Sequence, residues 1–146
     1  MRPPDPNDPS STTLELDELW SFVLKKANKC WIWLALCRKT RQIVAYVAGD
    51  RSEATCRRLW QAIPLNYRTG LCYSDFWQAY AAVIPEDQHR AVGKETGQTA
   101  HIERWNNTLR QRLARFVRES LAFSKSQRMH EICLGLFIHR YNLEHL

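Results

Sequence analysis

The hydrophobic pattern of this chain changes period along its length. From Leu14 to about residue 24, apolar residues interleave with acids in LELDELWSF, a two-residue period that reads as a strand. The aromatic and aliphatic run CWIWLALCRKT (30–40) and the β-branched RQIVAYVAGD (41–50), stopped by Gly49 and Asp50, read as two more strands. Short polar connections between them predict an antiparallel meander. The period then lengthens. SEATCRRLWQAI (52–63) gives a helix with Ala54, Leu59, Trp60 and Ile63 on its apolar side, Ser52 as candidate N-cap and Pro64 at its end. TGLCYSDFW (69–77) reads as a short strand stopping at Asp75, WQAYAAVI (77–84) as a helix, QHRAVGK (88–94) as a short fifth strand and ETGQTA as a loop. Helices follow over about 100–118 and 126–141. This order predicts an α/β fold with a mixed sheet.

The acids in LELDELWSF need an explanation. On a strand, Glu15 and Asp17 share one face, and Leu14, Leu16, Glu18 and Trp20 the other. A carboxylate on a buried strand is costly unless it is paired or holds a metal. Taken alone, the stretch favours an edge strand with its acids in water. Two further acids stand out by placement. Asp75 ends the fourth predicted strand, where it could instead cap the next helix, and Glu103 lies in the first turn of the long helix, where the helix dipole favours an acid. At about 100° per residue, Trp105, Leu109, Leu113, Phe116 and Val117 form the apolar stripe of that helix. Asn106, Asn107, Arg110 and Ala114 lie near the Glu103 meridian, with Arg104, Gln111, Arg115 and Arg118 in the next sector. The arginines form either a solvated side or a phosphate-binding flank beside a carboxylate.

Composition narrows these choices. A chain of 146 residues, 45% hydrophobic, suggests one folded domain (14–146) behind a leader (1–13) with four prolines in its first nine residues, expected to be disordered. A net charge of +6 favours a polyanionic partner or a membrane surface, and no run of about 20 apolar residues is present to span a bilayer. Five cysteines with no close pair argue against a zinc ribbon and for free thiols in a reducing compartment. The six tryptophans fall within apolar patterns and read as core residues. Oxygen-only ligands without His or Cys clustering would suit magnesium or manganese, and two such ions can serve phosphoryl chemistry.

ELDELWSFV, YSDFWQAY and HIERWNNTLRQRLARFVRESLAFSKS together resemble the catalytic protein of the insertion sequence 1 family of bacterial transposons, from about Leu14 to Tyr141. The resemblance implies a ribonuclease-H-like fold: a mixed sheet with three antiparallel strands first, flanked by helices. It implies a DDE transposase that hydrolyses a phosphodiester at the transposon ends and joins the 3′-hydroxyl to target DNA. The family's acids fall on Asp17, Asp75 and Glu103, as catalytic residues and ligands of two Mg2+ or Mn2+ ions, with Asp17 displayed by a central strand. Arg110 matches the basic residue two turns after the Glu, and Arg104, Asn106, Arg115 and Lys125 are the other candidate DNA contacts. The implied partners are DNA, further copies of the chain on that DNA, and an upstream zinc-finger and helix-turn-helix region joined by frameshift fusion. The implied place is the bacterial cytoplasm, at the nucleoid. A ribonuclease-H-like nuclease or resolvase, and an inactive DNA-binding remnant, are the alternatives.

Overall fold

The computed structural model of the chain describes residues 3–22, 29–119 and 127–145, without the side chains of 21, 22, 29, 30, 113–119 and 127–133. Five strands form one sheet: β1 (Leu14–Phe22), β2 (Lys29–Cys37), β3 (Ile43–Gly49), β4 (Cys72–Ser74) and β5 (His89–Ala91), in the order β3-β2-β1-β4-β5. The first three form the predicted antiparallel meander, and β4 and β5 add in parallel. LELDELWSF is therefore the central strand and not an edge. Among the described residues the α-helices are α1 (Glu53–Ala62) between β3 and β4, α2 (Gln78–Val83) between β4 and β5, and α3 (Ala100–Glu119) and α4 (Gln127–Glu144) after β5.

The two faces of the sheet are buried by different helices. Leu14 and Leu16 of β1 and Trp33 and Ala35 of β2 pack with Cys56 and Leu59 of α1 and Tyr80 of α2. On the other face, Leu19, Ile32, Leu34 and Leu36 pack with Ile102, Trp105 and Leu109 of α3 and with Leu134 and Ile138 of α4. Helix, sheet and helix thus form three layers, a ribonuclease-H-like α/β arrangement. Trp33 and Trp105 are buried, and Trp31, Trp60 and Trp77 pack against the first core, as their apolar settings predict.

Local chemistry sets the ends of these elements. Ser52 caps α1, its hydroxyl accepting from Thr55 N–H at 3.3 Å. The fourth strand is shorter than expected because the chain turns at Asp75, whose Oδ1 accepts from Trp77 N–H at 3.0 Å. Asp75 thus shapes the turn ahead of α2 and is not its N-cap, a position that falls on Trp77. In the expected leader, Pro9–Thr12 form a 3-10 turn in which Asp8 caps and Ser11 is buried. Among the described residues, no helix is long and apolar enough to cross a membrane.

Candidate active site

The site forms where the short β4 stops beside the long β1. The two strands pair only at Leu14↔Cys72 and Glu15↔Tyr73. Continuing that register by two positions sets Asp75 beside Asp17, at the point where the chain leaves the sheet. Asp75 can therefore meet side chains from both faces of β1. Carboxylate oxygens of Asp17, Glu18 and Asp75 all lie within 4.8 Å of one another. The structure thus brings together two of the three expected acids and adds Glu18.

Each acid is held by specific donors. Asp17 Oδ1 accepts from Glu18 N–H at 2.9 Å, and its Oδ2 from Asn106 Nδ2 on α3 at 2.8 Å. Glu18 lies on the opposite face, buried, where its Oε1 accepts from Arg51 Nη2 at 3.0 Å and its Oε2 from the Tyr80 hydroxyl. The Ser52 cap fixes the start of α1 immediately after Arg51, and that guanidinium lies 4.1 Å above the Trp77 ring. Burial first, then the charges of Glu18 and Asp75, push the Asp17 carboxyl up to about 7. Burial likewise raises Glu18, against the bonds from Tyr80 and Arg51. Like charges drawn together out of water favour protonation, or a cation between them.

The remaining expected residues are placed differently. Glu103 is half-buried in the first turns of α3, and its Oε1 accepts from the Thr99 hydroxyl at 3.1 Å. It precedes Asn106 by three residues, so it lies on the Asp17 side of the helix, one turn earlier. It is not part of the close carboxylate group. Asn106, expected to face DNA, is buried and donates from Nδ2 to Asp17 Oδ2. Arg104 and Arg110 are exposed. The Arg115 side chain and Lys125 lie outside the described residues. The resemblance puts the acids at Asp17, Asp75 and Glu103 and passes over Glu18, although it stands beside Asp17 in LELDELWSF. A signal was present there, since an acid on the apolar face of a central strand needs a partner.

Nearly the whole folded chain matches a known family: the IS1 transposase profile covers residues 11–144. The chain belongs to the IS1 transposase family. It is 42% identical over 127 residues to the InsB protein of insertion element iso-IS1n from Shigella dysenteriae, covering 87% of this chain and 94% of that protein. It is 36% identical over 131 residues to an insertion element IS1 protein InsB from Shigella flexneri, covering 90% and 95%. The insertion element IS1 4 protein InsB of Escherichia coli strain K12 is 35% identical over 131 residues, covering 90% and 74%.

Proposed function

We propose that this chain carries out the DNA chemistry of transposition: hydrolysis of a phosphodiester at the ends of an insertion element, then attack of the freed 3′-hydroxyl on target DNA. The observation that carries this reading is the convergence of Asp17, Glu18 and Asp75 where β1 runs on past its pairing with β4. The donor set fits magnesium or manganese, because it is all carboxylate oxygen, and burial together with the neighbouring carboxylate charges raises Asp17. Asp17 and Asp75 would hold the metal, with Glu103 as the third ligand from α3. A bound divalent ion supplies Lewis-acid activation of the attacking oxygen and charge stabilisation of the leaving one.

The chain's own side chains orient this set. Glu18 N–H and Asn106 Nδ2 each take one oxygen of Asp17, fixing the plane of its carboxylate, and Trp77 N–H fixes Asp75. Arg51 offsets the charge of Glu18, so that acid can stay near the pair without adding its full repulsion. The exposed Arg104 and Arg110 suit contact with the DNA backbone.

The test is cleavage of a labelled duplex carrying the element ends, in magnesium or manganese. Asp17→Asn, Asp75→Asn and Glu103→Gln should each lower it by about 10³-fold or more with circular dichroism unchanged. Calcium should bind without supporting cleavage. Near-wild-type cleavage by a variant removes that residue from the site, and a wild type inert with both metals refutes the proposal.

A further inference from the structure

On the other flank of α3 lies a second polar constellation that the acid site does not use. Residues 101, 104, 105 and 108 are spaced three and four apart, and at about 100° per residue they lie roughly opposite Glu103 and Arg110. They line a cavity of about 220 Å³ together with Leu36, Arg41, Tyr141 and His145. Among the described residues no acid lines it, while Arg41 and Arg104 bring fixed positive charge. Two lining side chains each leave a buried donor without a partner among the described residues: Nη1 of Arg41 and Nε1 of Trp105, the latter residue being only 3% exposed. Buried donors are rarely left so, and an indole N–H can only donate.

The cavity is held in shape by its surroundings. Gln42 Nε2 donates to Asn142 O at 2.9 Å, and the Asn142 side chain joins Ile43 at both N–H and C=O, each at 2.8 Å. These bonds pin the turn between β2 and β3 to the end of α4. Arg41 sits in that turn at φ +65°, a left-handed conformation that a non-glycine residue adopts at a cost. The nearby groups are otherwise engaged. His101 Nδ1 meets Glu15 at 2.6 Å, the Thr108 hydroxyl donates to Arg104 O, and His145 Nδ1 faces Tyr141 O. Glu144 pairs with Arg140 at 3.5 Å.

We infer that this cavity binds a phosphate group, whose oxygens accept from Arg41 Nη1 and the Trp105 indole N–H with Arg104 at the rim, and that the phosphate belongs to a DNA backbone. The volume is below the usual range for drug-sized ligands and suits a group of this size. Guanidinium is the cation best matched to phosphate oxygens. The site rests on its own residues, whereas the DNA assignment rests on the proposed function.

The test follows the indole N–H resonances of ¹⁵N-labelled protein, with Trp105→Phe identifying the Trp105 signal. Inorganic phosphate, then a random-sequence duplex, is titrated against chloride of equal ionic strength. The Trp105 resonance should move saturably with both and not with chloride. Arg41→Gly is the decisive variant. Glycine adopts the left-handed turn freely, so the variant should melt at the same or a higher temperature. It should bind phosphate about tenfold more weakly and lower the slope of log affinity against log salt for the duplex by about 1. A Trp105 signal unmoved by phosphate and duplex overturns the site. Movement with phosphate but an unchanged duplex slope in Arg41→Gly overturns the assignment to DNA and leaves a free phosphate ligand. A duplex that fails to bind at all, with phosphate still moving Trp105, counts against the proposed function and not against the cavity.

Discussion

Two residues apart on the same face of β1, Glu15 and Asp17 both reach α3, and the protein surrounds them differently. Glu15 is fully buried, yet its oxygens meet Arg38 Nε at 3.0 Å, the N–H groups of His101 and Ile102 at 3.0 and 3.2 Å, and His101 Nδ1. It acts as the acid at the positive end of α3, tying that helix to the sheet. Asp17 is more exposed, but it has one peptide N–H and one amide, with two carboxylates as neighbours. The depth of an acid therefore does not separate an anchor from a site. The balance of donors against like charge does, and the better-satisfied acid positions the helix that faces the other.

The largest test of this contrast is the stability of the metal-free protein. Unfolded Asp17 ionises near 3.8 and folded Asp17 near 7, so between those values the folded state holds the extra proton. Stability then falls as pH rises from about 4 to 7 and stays reduced above. About 3 units at 1.36 kcal/mol each set a ceiling of ~4 kcal/mol on that loss. Asp17→Asn escapes it. The new amide can still accept from Glu18 N–H, and the Oδ1 of Asn106, buried without a partner, can turn to receive its N–H. With chelator present, the variant should match wild type at pH 4 and exceed it by up to ~4 kcal/mol at pH 8 in urea unfolding. A variant equal to wild type at both would place Asp17 with Glu15 as a satisfied acid.

Glu15 should respond in the opposite sense. Glu15→Ala strands two helix N–H groups and removes the partner of Arg38 Nε, and should cost about 3 kcal/mol, somewhat below the loss of a fully buried pair because Arg38 is 26% exposed and also donates from Nη2 to Gln98 O. Glu15→Gln keeps an acceptor for the helix and should recover roughly half of that. Urea midpoints of the three proteins measure it. Equal loss in both variants would mean that charge alone, and not the helix cap, ties α3 to β1.

Much of this contrast was hidden in the sequence while the scaffold was not. Period and breakers located the meander, the Ser52 cap and both long helices within a few residues, because those signals are local. The alternation also separated Glu15 and Asp17 from Glu18. What alternation could not show is that β4 ends level with Asp17, so that Asp75 reaches an acid on each face. That depends on strand order and register between segments some 58 residues apart, 75 − 17. The same holds for Asn106, whose partner on β1 is distant in sequence, and for Glu15, which reads as one more surface acid until α3 is docked upon it.

Glu103 offers the smallest expected change in stability and the sharpest division of roles. The resemblance to the transposase family implies that it is the third catalytic acid, yet the close group contains Glu18 and not Glu103. Glu103 is half-buried with a hydroxyl bond from Thr99 at 3.1 Å, which a glutamine oxygen can accept equally well. Glu103→Gln should therefore shift unfolding by no more than about 0.5 kcal/mol. Glu18→Gln, which weakens the bonds to Arg51 and Tyr80 in a buried setting, should shift it more. Cleavage separates the two further. If α3 carries the third ligand, Glu103→Gln loses cleavage at nearly unchanged stability, and Glu18→Gln retains a measurable fraction as the support of Asp17. If Glu103→Gln cleaves normally and Glu18→Gln does not, the working triad is the one that β1 and β4 assemble between them, and α3 contributes Asn106 alone.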